Sequence, residues 1–312
     1  MGAALLAAAP SLDAQAPESL MVAEAHSGKV LLATNATRKR PVASLVKIAT
    51  GVVALDWAKA AGLEEESVSV EVPPAVAAIG GPNPMNLQPG DRLSLRDALY
   101  SALLGSDNIA ALAAADAVGR ELLRRGGRGG DPVAAFVGEM NKLAKALGMD
   151  QTRFATPHGL TGDGRREYSN AADMARLSIY AMRRPAFSFI VRQQQRTVTV
   201  QTAGGPRSFK VRNTNELLGE KGITGIKTGT TSAAGPCLAT CVERDPLLRD
   251  APDGNKLVTP RRLVVVVLGS PDRFGHTRTL IQRGWGLFDG WMAAGAPSED
   301  PRREFLQVPD PR

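Results

Sequence analysis

The order of the apolar segments limits how this chain folds more than any other feature. Residues 20–35, "LMVAEAHSGKVLLATN", read as two strands joined by a turn at Ser27-Gly28, and "SVSVEV" at 67–72 alternates like another. A long helical block follows the first hairpin. It comprises an apolar run over 44–60, "SLRDALYSALLGSDNIAALAAADAVG" broken at Gly105-Ser106, a helix from 132 with Asp131 as cap and Gly148 past its end, and "NAADMARLSIYAM". Strands then return as "RTVTVQT", "RSFKVRN", "ITGIKTGT", "GPCLATCVE" and "RRLVVVVLGS", before a closing helix near 276–294. Strands at both ends of a chain can share one core only if they pair across the helical block. The expected class is therefore α+β, a mainly antiparallel sheet flanked by helices with an all-helical insertion.

The 312 residues suit one large catalytic unit over 19–294. Aromatics make up only 4% of the chain, so the core is expected to rest on Ala, Val and Leu. The Pro/Gly-rich stretch 73–93 and "FATPHGLTGDGRREYSN" read as loops, the Gly/Arg-rich residues 120–130 as a mobile insertion, and 295–312 as a disordered tail. The N-terminal "MGAALLAAAPSLDAQA" resembles the tail of a secretory signal peptide without its basic region, since the first basic residue is Lys29. Residues 1–18 are thus expected to be a truncated signal, and the protein to work outside the cytoplasm. The net charge of +7 is dispersed apart from "RRGGRGG" and lacks aromatic interleaving, which argues against nucleic-acid binding and suits an anionic polymer such as cell-wall material. Cys237 and Cys241, if on one strand, lie roughly 13 Å apart, too far for a disulfide. With three scattered histidines no metal site is expected.

Three short stretches carry chemistry. In "PVASLVKIAT" Ser44 precedes Lys47 by one helical turn, so both side chains share a face of an otherwise apolar segment. In "LLGSDNIAAL" Ser106 and Asn108 flank an aspartate at a corner between helices. In "GIKTGTTSAAG" Lys227, Thr228 and Gly229 lie on a strand whose glycine leaves clearance for another backbone. Each has an ordinary explanation alone: a helix cap, a capped turn, an edge-strand lysine. Together, in this order and in helix, corner and strand contexts, they form the Ser-x-x-Lys, Ser-x-Asn, Lys-Thr-Gly set of penicillin-recognising serine enzymes.

With these motifs the chain resembles the serine-type D-alanyl-D-alanine carboxypeptidases, low-molecular-mass penicillin-binding proteins of peptidase family S11. The likeness extends to "AEAHSGKVLLATNATRKRPVASLVKIAT", "FATPHGL", "SNAADMARL" and "NTNELLGEKGITGIKTGTTSAAGPCLAT", from about residue 20 to about 290. It implies a β-lactamase/transpeptidase-like fold. It also implies an acyl-enzyme on Ser44, Lys47 as its base, Ser106 relaying a proton to the leaving amine, and Asn108 holding the substrate amide. Lys227 and Thr228 would bind a free terminal carboxylate, Gly229 would lie beside them in the substrate site, and the N–H of Thr230 would join that of Ser44 in an oxyanion hole. Peptidoglycan stem peptides are the implied substrate and β-lactams the implied covalent inhibitors, with no cofactor. Many members add a β-rich domain and an amphipathic anchor; the chain stops short of both, so no membrane anchor is expected.

Three rivals remain. A D,D-endopeptidase or transpeptidase would share every motif. A class A β-lactamase needs Glu and Asn four residues apart; "EYSN" sets Glu167 and Asn170 only three apart. A non-catalytic cell-wall binder would not need to keep Ser44, Lys47 and Lys227.

Overall fold

The computed structural model describes residues 19–160, 166–250 and 255–311. The expected signal segment, residues 1–18, lies outside them. Two antiparallel sheets organise the rest. The larger is built from both ends of the chain. Strands β1 (Ser19–Glu24) and β2 (Val30–Thr34) join β7 (Ile223–Thr231), β8 (Gly235–Asp250) and β9 (Lys256–Leu268) in the order β2-β1-β9-β8-β7. The smaller holds β3 (Ser69–Glu71), β4 (Arg92–Ser94), β5 (Gln195–Thr202) and β6 (Gly205–Arg212), in chain order. The α+β expectation holds. The pair β5–β6, however, leaves the main sheet to shield the helical insertion.

The run "LVVVVL" explains the layering. An uninterrupted apolar strand suits a position buried on both faces. In β9, Val264, Val266 and Leu268 join one core cluster, while Leu263, Val265 and Val267 join another. The first core contains helices α1 (Lys47–Ala60) and α5 (Ala171–Met182), and the second is closed by α7 (Arg273–Ala293). Between α1 and α5 the insertion supplies α2 (Leu95–Leu104), α3 (Asn108–Arg125) and α4 (Pro132–Ala146). Helix α1 is buried nearly all round, including Ile48, Ala49, Val52 and Leu55, as a central helix must be. Small side chains on α3, such as Ala110, Ala111, Ala114 and Ala115, are fully buried, so the scarcity of aromatics reflects close helix contacts.

Several boundaries differ from the sequence reading. Helix α3 runs on to Arg125, so the first half of the expected mobile insertion is helical; pairs such as Arg120 with Asp116, three and four residues apart, favour that. Helix α6 (Pro185–Val191) was not anticipated in "PAFSFIV", where Pro185 occupies the first turn, the one helical place suited to it. The C-terminal segment is ordered where disorder is expected. A one-turn helix α8 (Pro301–Glu304) leads to Leu306, which is buried and donates its N–H to the Gly28 carbonyl at 2.8 Å. Lys29 pairs with Glu304 and lies over the Phe305 ring, and Arg183 holds the Val308 carbonyl. Cys237 and Cys241 are buried thiols on β8, not disulfide-bonded. Among the described residues no helix is long and apolar enough to cross a membrane.

Candidate active site

Ser44 does not sit on α1 itself. It lies in a 3-10 turn, Ala43–Val46, that leads into the helix, after Ala43 takes φ = +50°. A non-glycine residue in that region is strained and persists only where its surroundings hold it. Two glycines show what holds it. A Cβ on Gly159 (φ +82°) would stand 2.1 Å from the Ala43 carbonyl oxygen, and one on Gly229 would stand 2.8 Å from the Ser44 nitrogen. The "PHGL" loop and β7 thus grip the turn from two sides. The clearance at Gly229 is taken by the backbone of Ser44.

Lys47, one turn on, is fully buried. Its Nζ lies 2.9 Å from Ser44 Oγ, 2.7 Å from Asn108 Oδ1 and 2.8 Å from the His158 carbonyl oxygen. Burial lowers its pKa to about 7, with Asp107 and Glu167 pulling the other way. The count of partners fixes what the neutral amine does. It retains two N–H donors, and two of its neighbours, the Asn108 amide oxygen and the His158 carbonyl, can only accept. Once both are served, the lone pair is left for the hydroxyl of Ser44. The amide of Asn108 is oriented for this by Nδ2 donating to the Gly80 carbonyl at 2.9 Å. Asn108 thus engages Oδ1 and one of its two Nδ2 hydrogens within the protein, an arrangement the sequence does not reveal.

The corner between α2 and α3 divides its labour. Asp107 caps α3, accepting the N–H groups of Ile109 and Ala110 on Oδ1. Asn108 opens the helix towards Lys47, and Ser106 stands buried at the bend with φ = +61°. Opposite, β7 presents Lys227, 1% exposed, whose Nζ donates to the Thr228 carbonyl at 3.0 Å. Burial, with the neighbouring charges of Lys47 and Arg273, holds its pKa well below the ordinary lysine value. Ser44 is partly exposed and Thr230 exposed, so the seam opens to solvent above the two buried lysines.

Three contributors escaped the sequence reading. Arg273, at the first turn of α7, donates to Thr230 Oγ1 at 2.9 Å and to the Gly229 carbonyl at 3.2 Å, adding a cation to the strand side. Only "SPDRFG" just after the last strand could have signalled it. His158 enters through its main-chain carbonyl, which no residue type announces. Glu167 accepts the N–H groups of Ala155 and Thr156 at 2.9 and 3.1 Å, and so braces the loop that carries His158. Among the described residues no group of His, Cys, Asp and Glu is placed to hold a metal ion.

This site and fold meet a family model, that of D-alanyl-D-alanine carboxypeptidase, peptidase family S11, which matches residues 5–247. The chain belongs to that family. The D-alanyl-D-alanine carboxypeptidase DacC of Escherichia coli is 31% identical over 290 residues, covering 90% of this chain and 63% of the E. coli protein. A D-alanyl-D-alanine endopeptidase of Pseudomonas aeruginosa is 32% identical over 233 residues, 73% of this chain and 68% of that protein. The crystal structure of the Streptomyces K15 DD-transpeptidase superposes with a TM-score of 0.72 at 26% identity, covering 87% of this chain and 98% of that one. The S11 chain thus spans less than two thirds of the E. coli relative. The three names state three reactions, carboxypeptidase, endopeptidase and transpeptidase.

Proposed function

We propose that the protein is an extracytoplasmic serine D,D-carboxypeptidase that removes the terminal D-Ala from peptidoglycan stem peptides. The observation that carries this is the set of three contacts on the buried Lys47, which directs an amine lone pair at Ser44. Ser44 Oγ attacks the penultimate D-Ala carbonyl while Lys47 takes its proton. The N–H groups of Ser44 and Thr230 stabilise the oxyanion. The proton returns through Ser106 to the leaving D-Ala amine, Asn108 and the strand align the peptide, and water then releases the acyl group. Lys227, Thr228 and Arg273 receive the free terminal carboxylate, which makes the attack exo-acting. The cationic seam supports this: two buried or half-buried cations beside the strand favour an anion.

β-Lactams would acylate the same serine, because their strained amide mimics the D-Ala-D-Ala bond and the opened ring stays tethered. Slow release is expected. The carboxylate nearest to serving as a water activator, Glu167, has its Oε1 held by the loop N–H groups of Ala155 and Thr156 and its Oε2 beside the Thr156 hydroxyl at 3.4 Å. This argues against the lactamase reading. A penicillin adduct should persist in intact-protein mass spectra after drug removal; an adduct gone within seconds, with repeated cephalosporin turnover, would favour a lactamase.

A second reading, endopeptidase action on cross-links, is favoured by the relative of that name in Pseudomonas aeruginosa. Mass spectrometry of products from intact peptidoglycan separates the two. A carboxypeptidase converts pentapeptides to tetrapeptides and leaves dimers whole, whereas loss of dimers with pentapeptides retained would overturn the main reading.

A further inference from the structure

The stretch "NTN" at 213–215 has no part in the reaction above, yet it reaches the strand side of the site. The Thr214 hydroxyl lies 2.6 Å from that of Thr228 and 3.2 Å from the Leu104 carbonyl. Its backbone is braced on both sides. Asn213 Nδ2 donates to the carbonyls of Val191 and Gln193, each at 3.1 Å, and Asn215 Nδ2 donates to that of Gly225 at 2.7 Å. Thr228 itself is 4% exposed, so its hydroxyl has few other partners to choose.

One proton lies between the two threonine oxygens, and whose it is decides what Thr228 offers a ligand. If Thr228 donates to Thr214, lone pairs face the site and repel an anion. If Thr214 donates, the Thr228 proton is left to point at the ligand. A carboxylate only accepts. The Leu104 carbonyl, at the end of α2, already receives the Thr214 N–H at 3.0 Å. The Thr214 hydroxyl can therefore turn to Thr228 without leaving a buried carbonyl unpaired.

We propose that Thr214 is a positioning residue that sets the Thr228 hydroxyl as a donor to a free C-terminal carboxylate, and so contributes to the preference for peptide acids over peptide amides. The proposal rests on the reading of Thr228 as a carboxylate ligand.

The test compares kcat/KM for a diacyl-L-Lys-D-Ala-D-Ala peptide and its C-terminal amide in the wild type, Thr214→Val, Thr214→Ala and Thr214→Ser. The wild type should prefer the acid. Thr214→Val should lower the acid-to-amide ratio about fivefold, the worth of one ordinary hydrogen bond, with the change in KM for the acid. Thr214→Ser, which restores a hydroxyl, should recover most of the ratio. Should the valine variant fail to fold, Thr214→Ala gives a second hydroxyl-free reading. A structural role alone would slow acid and amide equally, and an unchanged ratio in a folded variant lacking the hydroxyl overturns the proposal. A serine variant as impaired as valine does the same. A wild type without acid preference removes the carboxylate reading itself, and shows before any substitution is made.

Discussion

Two lysines face each other across the seam, and their surroundings differ. On the helix side Lys47 ends among acceptors, with Asn108, His158 and Ser44 around its amine and the carboxylates of Asp107 and Glu167 acting on it from farther off. On the strand side Lys227 ends at the Thr228 carbonyl, and the charges that act on it, Lys47 and Arg273, are both positive. Both are fully buried, so neither holds a proton as readily as in water. The first wall compensates an amine that gains and loses a proton. The second is short of an anion until one is bound. Under the proposed function the same residue type would serve as base on one wall and as anchor on the other, and the distinction would lie in the partners.

Removing the base should have the larger effect. Lys47→Ala should slow acylation by about 10²–10⁴-fold, the range for a positioned general base, measured as the second-order rate of penicillin labelling with the fold checked by circular dichroism. Loss confined to binding would show that Lys47 belongs with the anchor. Lys227→Ala should instead lose discrimination between acid- and amide-terminated peptides, by about a hundredfold for a buried charge-assisted contact. A variant that keeps the full acid preference would break the comparison from the other side.

The seam itself can be pried open at Gly229. A methyl there meets the backbone of Ser44, which cannot swing aside as a flexible side chain would. Gly229→Ala should cost about 1–3 kcal/mol of stability and slow acylation, read by thermal melting and penicillin labelling together. Wild-type behaviour in both would mean the two walls are less tightly joined than described.

The finest difference is electrostatic. The proposed base is the neutral Lys47 amine, and burial lowers its pKa to about 7. Acylation should fall towards tenfold per unit as pH drops below 7. Glu167 raises that pKa when ionised, so Glu167→Gln should move the acid limb to lower pH, by a fraction of a unit. A shift to higher pH would reverse the sign of the assigned interaction. Stability carries its own signature. An unfolded lysine keeps its proton to about pH 10.4, so the folded state should gain stability from Lys47 as pH rises from about 7 into that range.

Much of this was legible in the sequence because it is periodic or local. The apolar runs "LMVA" and "LVVVVL" near opposite ends of the chain specified a sheet assembled from both, and the spacing of Ser44 and Lys47 specified a shared face. The rest depends on contacts that carry no local signal. The His158 contribution is a main-chain carbonyl, the strained Ala43 is an ordinary alanine in print, and Arg273 lies 229 residues from Ser44 in sequence. The tail was misread for a related reason. Its composition resembles a linker, and the turn of the first hairpin, far away in sequence, accepts the Leu306 N–H.

Ser44, activated by Lys47 and fed by an acid-terminated peptide, should form an acyl-enzyme. Rapid quenching during turnover of a diacyl-L-Lys-D-Ala-D-Ala peptide, followed by intact-mass measurement and peptide mapping, tests it directly. An adduct of the peptide minus one D-Ala should appear on the segment containing Ser44 and be absent from folded Ser44→Ala. An adduct on another residue, or D-Ala release that persists in folded Ser44→Ala, would contradict it.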